Sequence, residues 1–169
     1  MNKLYKALSA SCIALLSGCA TVGPVAEKVS NAERTAFFSP PSSEKAAVFF
    51  VCGTWKTESW LMNSTTDMPG CALEINGMPQ KRILKNQVGR VDVSPGTLNL
   101  APVKEDSLAT YVPLKVEVRA GEVVLVTQNL VHRLGALGGA LSGGFVHSLE
   151  WTKEQANQKA SVKEPVRMN

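Results

Sequence analysis

Short runs of alternating apolar and polar residues, separated by turn signals, fill most of this chain after residue 45. Residues 88–93 and 97–100 alternate on either side of Ser94-Pro95-Gly96, and residues 114–118 alternate again before Ala120-Gly121. A period of two places one set of side chains on a buried face, which is the pattern of a β-strand. The chain is therefore predicted to form many short strands joined by tight turns.

Two further signals set the fold class. The continuous apolar run over 46–52 is typical of a buried strand, and Asn76-Gly77 is a strong hairpin signal. About seven strands with turn signals between them predict a mainly β protein, a single antiparallel β-sandwich. Thr152-Lys153-Glu154-Gln155 resembles a capping box, so a short C-terminal helix is expected to begin there and to run to about residue 159.

The N-terminus has the pattern of a secretory signal. Lys3 and Lys6 precede an apolar stretch of about ten residues over 7–16. This is the length of a signal-peptide core and is too short to span a bilayer as a helix. Residues 1–18 are therefore expected to be a cleaved signal peptide.

The motif Leu16-Ser17-Gly18-Cys19 ends that stretch and resembles the lipobox of bacterial lipoproteins. The resemblance implies cleavage before Cys19, a diacylglyceryl group on its thiol and an acyl chain on its new amino group. Two or more acyl chains give stable membrane attachment, whereas one gives only marginal attachment. Alanine at position 20 implies sorting to the outer membrane, and we expect the domain on its periplasmic face. The alternative is an ordinary secreted protein in which Cys19 merely follows the cleavage site.

The remaining cysteines suit an exported protein. Cys12 leaves with the signal and Cys19 carries lipid, so Cys52 and Cys71 are left as a pair. A pair in an oxidising compartment is expected to form a disulfide, and closing about 20 residues stabilises a fold by roughly 3 kcal/mol. The polar stretch that they enclose is predicted to be a long loop. A metal-binding pair and a catalytic thiol are the alternatives.

Charge excludes one class of partner. Removal of residues 1–18 takes away two lysines and no acidic residue, which leaves 16 basic and 14 acidic residues. The mature chain is close to neutral and has no basic cluster longer than two adjacent residues, so no nucleic-acid partner is expected.

The predicted organisation has four parts. Residues 1–18 are the signal peptide, residues 19–45 a lipidated tether, residues 46–160 the β-sandwich domain and residues 161–169 a polar, frayed tail. A flexible chain of about 25 residues spans roughly 25–30 Å on average, enough to hold a domain clear of the headgroups. Phe37 and Phe38 are unusual in a linker and are expected to dock on the domain.

Three motifs carry a resemblance to a known family. They are the Pro-Pro tether before 46–51, the hairpin Leu73-Glu74-Ile75-Asn76-Gly77 and residues 91–100. In this order they are similar to small bacterial envelope lipoproteins of unknown function that are related to PEGA-type β-sandwich modules. The resemblance covers roughly residues 42–160 and implies a fold but no catalytic site. The chain departs from the family between Cys52 and Cys71 and in its glycine-rich run.

Several residues are candidates for chemistry. Trp55 and Trp60 lie inside the predicted disulfide loop, where an exposed pair would stack on a glycan and an inward-folded pair would give the loop a small core. His132 and His147 flank a glycine-rich segment and would approach each other if that segment folds back as a hairpin, although no third metal ligand stands at a recognised spacing.

The glycine-rich segment itself, 135–144, is compatible with a flexible loop, a packing surface or a membrane contact. Neither a lipase-type nucleophile motif nor a phosphate-binding loop occurs in the sequence. No cofactor and no metal are expected.

The sequence as a whole predicts an outer-membrane lipoprotein that acts as a non-enzymatic envelope interaction or structural module. Its partner would be an envelope protein or a glycan, in addition to the membrane that holds its anchor. The alternatives are a small-ligand or glycan binder that uses Trp55 and Trp60, and a hydrolase with an unfamiliar site.

Overall fold

A computed structural model describes residues 24–58, 63–103, 109–133 and 144–168. Within these ranges the fold is mainly β, with multiple sheets and a short C-terminal helix, as predicted. In chain order the elements are β1 (Glu27–Lys28), α1 (Arg34–Phe37), β2 (Ala46–Glu58), β3 (Asn63–Asp67), β4 (Gly70–Cys71), β5 (Leu73–Ile75), β6 (Met78–Pro79), β7 (Ile83–Leu84), β8 (Gln87–Val93), β9 (Gly96–Pro102), β10 (Ala109–Tyr111), β11 (Leu114–Val118), β12 (Val123–Arg133), β13 (Gly144–Thr152), α2 (Ala156–Ser161) and β14 (Glu164–Arg167).

One large sheet organises the domain. Its strands follow the order β1-β14-β8-β2-β12-β13-β10, and β3 pairs with the second half of β2. A smaller sheet, in the order β11-β9-β5-β6, and the two-stranded pair β4-β7 complete the strands of the described residues. The chain therefore builds two main layers of sheet, in agreement with a β-sandwich.

The large sheet departs from the predicted all-antiparallel pairing at three places. β2 pairs with β12, β8 with β14 and β10 with β13, and in each pair the strands run parallel. Alternation along a strand reports which face is buried but not the direction of the neighbouring strand, so the sequence pattern could not reveal these pairings. Parallel neighbours need a crossover connection, and the long chain between β2 and β12, which includes the strands of the smaller sheet, supplies one.

β2 lies at the centre of the core, and its two faces meet different partners. Ala46, Val48 and Phe50 pack towards the smaller sheet, together with Val124 and Val126 of β12. The intervening residues pack against the helical side, where Phe49 and Val51 meet Ala156 and Ala160 of α2. Burial on both faces explains why residues 46–51 are continuously apolar rather than alternating.

The short C-terminal helix begins later than the capping-box pattern predicts. Thr152 is still paired with Leu125 in the large sheet, so α2 starts only at Ala156. The side chain of Gln155 makes no capping hydrogen bond, and packing of Ala156 and Ala160 against the sheet holds the helix in place.

The predicted tether is folded onto the domain over its described part. β1 pairs with β14, Ala26 is buried in the main core and Pro41 is buried as well. Phe37 and Phe38 place their rings 5.8 and 5.7 Å from the ring of Phe49, so their predicted docking is confirmed. From residue 24 onwards the chain is therefore part of the domain and not a free linker.

The predicted frayed tail is also wrong over residues 164–168. β14 inserts between β1 and β8, and Val166 and Met168 are buried. The guanidinium of Arg167 bonds the carboxylate of Glu33, and Lys28 pairs with Glu164 at 2.9 Å. Without this segment, the edge of β8 would leave backbone N–H and C=O groups unpaired. Burial of the apolar residues at 165, 166 and 168 stabilises the pairing of the segment with β8.

Candidate functional site

The structure confirms the predicted disulfide. Cys52 in β2 and Cys71 in β4 are bonded, with their Cα atoms 5.6 Å apart. The polypeptide between them is not the predicted long loop, because 54–58 and 63–67 pair as a hairpin. The bond therefore ties the base of this hairpin to the core, where Cys71 is buried.

An irregularity in β2 decides which face Trp55 occupies. Opposite β12, the register passes from Cys52↔Gln128 to Leu130↔Trp55, so β2 contains one extra residue. The side-chain oxygen of Asn129 accepts a hydrogen bond from the backbone N–H of Thr54 at 3.0 Å, and it fills the space beside Gly53. A strand without this bulge would turn Trp55 to the opposite face.

Five rings gather on the inner face of the large sheet at the end away from the helices. We call this group the aromatic face; it consists of Trp55, Tyr111, His132, Phe145 and His147. His132 stacks on Phe145 with ring centroids 4.2 Å apart, and His147 stacks on Tyr111 at 5.0 Å. Trp55 meets Phe145 edge-on at 6.3 Å. All five side chains are half-buried, which leaves part of each ring in contact with solvent.

The two histidines share this face because β12 and β13 form an antiparallel pair around the glycine-rich segment. Leu130 lies opposite His147 and His132 lies opposite Phe145, so the histidines sit on the same face, two positions apart. The chain does fold back as the histidine spacing suggested. Within the described residues, the two imidazoles have different stacking partners, Phe145 for His132 and Tyr111 for His147.

A buried glutamine fixes the ring of His147. Gln128 is 2% exposed, and its amide Nε2 lies 3.0 Å from Nδ1 of His147, which accepts the hydrogen bond in the neutral ring. The amide oxygen of Gln128 and the indole N–H of Trp55 are buried without a hydrogen-bond partner in the described part of the chain. Among the same residues, no group of three or more His, Cys, Asp or Glu side chains is placed to hold a metal ion.

The structure describes one of the two predicted tryptophans, Trp55. Trp55 packs against the main core and against Phe145, which matches the inward-folded alternative for this residue. Trp60 and Cys19 lie outside the described residues, as do residues 134–143 of the glycine-rich segment. Gly144 is the first residue of β13, opposite Arg133.

Trp151, the exposed member of the same strand face, was not among the predicted site residues. Trp151 lies opposite Val126 and is 43% exposed, with the ammonium of Lys153 5.9 Å from its ring centroid. The signal was present as a two-residue period, because Phe145, His147, Leu149 and Trp151 alternate along β13. Continuing that alternation to the end of the strand would have identified it.

The backbone edge beside Trp151 has no neighbouring strand in the described part of the chain. β10 pairs with β13 only at residues 145–147, and no other strand of the described ranges pairs with the outer side of residues 148–152. Along these five residues, the backbone groups of alternate residues point away from β12, next to an exposed aromatic side chain. β13 also lies five strands away from β1, a distance of about 24 Å across the sheet.

A depression of about 440 Å³ lies at the other side of the domain, bordered by Phe37, Arg90, Asp92, Arg167 and Met168. Its charges are already paired. Arg90 bonds Asp92 at 2.8 Å and also donates to the carbonyl oxygen of Ser39 at 2.7 Å, while Arg167 bonds Glu33. These contacts fasten the N-terminal segment to the domain, so we interpret the depression as structural.

No protein-family model, curated protein or solved structure matches this chain. The resemblance to PEGA-type modules therefore stays a prediction, and function has to be inferred from the geometry. No helix of the described residues has both the length and the apolar character needed to cross a bilayer.

Proposed function

We propose that this protein is an outer-membrane lipoprotein of the bacterial envelope, held by an acylated Cys19, whose domain binds another envelope protein without catalysing a reaction. The observation that carries the proposal is the open outer edge of β13 over residues 148–152, beside the exposed ring of Trp151. The lipobox motif supports the location, and the disulfide suits an oxidising compartment.

An open strand edge is a template for an added strand. Its unpaired N–H and C=O groups bond an extended segment of a partner, and side chains beside the edge give the contact its specificity. A tryptophan supplies a large contact area for little loss of conformational entropy, which is why this residue is frequent at the centre of interfaces. Trp151 and the edge lie on one strand, so a single partner segment can use both.

The arrangement of the histidines also favours a binding role over hydrolysis. Each imidazole stacks on an aromatic ring, and His147 is further held by Gln128. A general base needs a third group that orients it towards a nucleophile, and its contacts must leave the reacting nitrogen accessible to substrate. Stacked rings and a buried amide instead form a rigid platform, which lies next to the open edge along β13.

The anchor is tested by the mass of the N-terminal fragment. The full precursor is expressed in a bacterium, and the N-terminal peptide of the mature protein is analysed after proteolysis. We expect it to begin at Cys19 and to carry three acyl chains. The variant Cys19→Ser, in which the nucleophilic thiol is lost, should be unacylated and released from the membrane fraction. An unmodified Cys19 in the wild-type protein would overturn the proposed location.

The contact surface is tested by site-specific photo-crosslinking in intact cells. A photoreactive residue at position 151 should give a discrete crosslinked protein, whereas the same residue at Val162, which is 78% exposed on the helical side, should give none. Trp151→Glu should abolish crosslinking from a neighbouring position on β13, and Val162→Glu should leave it unchanged. Equal yields from positions 151 and 162 would contradict the proposed surface.

A further inference from the structure

The first residues that the structure describes are firmly attached to the domain. The carbonyl oxygen of Pro24 accepts a hydrogen bond from the N–H of Arg82 at 3.1 Å, and the N–H of Ala26 donates to the carbonyl oxygen of Arg82 at 2.8 Å. Val25 forms a bridge with Arg82, and the side chain of Ala26 is buried in the main core. The position at which the N-terminal chain enters the domain is therefore fixed.

Covalent geometry then limits the distance between this point and the proposed lipid anchor. Four residues, 20–23, separate Cys19 from Pro24. Five Cα–Cα steps, even fully extended, span at most about 18 Å. The headgroup layer of one leaflet accounts for about 5–8 Å of such a distance. An acylated Cys19 would thus hold the surface around Pro24 within about one or two Debye lengths of the headgroups, and not at the end of a 25-residue tether.

The surface at this point has the composition of a membrane contact. Val25 is 46% exposed and Leu84 is 41% exposed, although both are apolar. Arg82 lies opposite Val25, and Lys81 and Lys85 lie close to it in the chain; Lys85 is exposed, while Lys81 and Arg82 are half-buried. Lys85 pairs with Asp67 at 2.9 Å, and both side chains of this pair are more than half exposed, so the pair can rearrange at little cost. We call these five residues the anchor-proximal surface: Val25, Lys81, Arg82, Leu84 and Lys85.

We propose that the anchor-proximal surface rests on anionic phospholipid headgroups, so that the domain stands directly on the membrane with the open edge of β13 facing away from it. The proposal rests on the acylation of Cys19 proposed above. Basic side chains near an anionic leaflet each raise membrane affinity about fivefold, and exposed apolar side chains enter the boundary between headgroups and acyl chains.

The topology of the large sheet supports this orientation. The N-terminal chain runs past Arg82 into β1, which is the first strand of the sheet, whereas β13 lies near its other edge. Lys115 of β11 also lies far from the anchor, because β11 is the edge strand of the smaller sheet opposite to β6. One edge of the domain is thereby assigned to lipid, and the opposite edge to a protein partner.

The test measures lysine accessibility in the full-length acylated protein. The purified protein is added to preformed vesicles of phosphatidylethanolamine and phosphatidylglycerol, and lysines are acetylated with a membrane-impermeant reagent. Lys28 serves as a further reporter, because it lies in the edge strand β1 three residues after Val25 and its side chain is 69% exposed. Relative to protein in neutral detergent, labelling of Lys28, Lys81 and Lys85 should slow at least about fivefold, whereas Lys115 should label at an unchanged rate. The protection should weaken at high salt, because the attraction is electrostatic.

A charge-reversed variant and a matched control isolate the surface. In Lys81→Glu/Lys85→Glu, Lys28 should label on vesicles as fast as in detergent, while in Lys115→Glu it should stay protected. Unprotected Lys81 and Lys85 in a protein whose Cys19 is shown by mass to be acylated would overturn the docked orientation alone. An unacylated Cys19 would overturn both this inference and the proposed function.

Discussion

Truncation of Phe49 should destabilise the core and also release the segment that contains α1, Phe37 and Phe38. Phe49 is fully buried on the helical side of β2, and the rings of Phe37 and Phe38 lie within 6 Å of its own. Phe→Ala in a core costs about 3–5 kcal/mol, of which aromatic pairs account for about 0.5–1.5 kcal/mol each. The guanidinium of Arg90, 5.8 Å from the ring centroid, adds a further cation–π contact. We therefore expect Phe49→Ala to lose about 4–5 kcal/mol of unfolding free energy.

The neighbouring residue provides a matched control. Phe50 is equally buried but lies on the opposite face of β2, where it packs towards the smaller sheet. Phe50→Ala should therefore lose a similar free energy, measured by urea unfolding, without freeing the segment that contains α1. Limited trypsin digestion at Arg34 distinguishes the two variants, because only Phe49→Ala removes the contacts that hold this segment.

Milder variants keep the comparison meaningful if either alanine variant fails to fold. Phe49→Leu retains a large apolar side chain and loses only the ring contacts, at a cost of about 1–2 kcal/mol. It should still accelerate cleavage at Arg34 under conditions in which the domain is folded, and Phe50→Leu should not. Equal cleavage of the two leucine variants would refute the assignment of Phe49 as the residue that holds the N-terminal segment.

Three further outcomes are expected. The double variant Cys52→Ala/Cys71→Ala should lose about 3 kcal/mol of unfolding free energy, which corresponds to a Tm about 10 °C lower. Reduction of the wild-type protein should produce the same shift, and an unchanged Tm would contradict a stabilising bridge. Gly53→Ala should cost about 1–3 kcal/mol in urea unfolding, because an added Cβ would lie 2.2 Å from the side-chain oxygen of Asn129, and Asn129→Ser should recover part of the loss. Hydrogen bonds from Ser30 and the nearby charge of Arg167 lower the pKa of Glu33 below its usual 4.5, so its stabilising contribution is present above that pH and is lost as pH falls through the lowered value. Hydrogen exchange of residues 27–38 should rise correspondingly in acid, and a Glu33→Gln variant that kept the same pH dependence would contradict this account.

Local patterns predicted much of the fold and part of the site. The apolar run over 46–52, the Asn76-Gly77 turn and the alternation over 114–118 all correspond to strands or turns of the structure. The pairing of Cys52 with Cys71 and the docking of Phe37 were also predicted correctly. Each of these features depends on neighbouring residues or on simple counting, so the linear sequence contains the necessary information.

The errors occurred where long-range pairing decided the outcome. Residues 24–45 and 162–168 contain many polar side chains, and their pairing as β1 and β14 depends on the free edge that β8 presents. Trp55 belongs to the aromatic face only because of the bulge opposite Asn129, and no local signal in β2 predicts that bulge. Polarity therefore gave the wrong answer for both ends of the domain.

By itself, the sequence determined that this protein is a strand-rich, disulfide-bonded domain, because periodicity, turn residues and cysteine pairing are properties of residues close in the chain. Tertiary structure alone decided that β1 pairs with β14, that Trp151 stands beside an edge that no other described strand covers, and that Val25 lies beside Arg82. The physical reason is that backbone groups and exposed side chains acquire their neighbours from distant strands, whose direction and order the alternation of side chains does not encode.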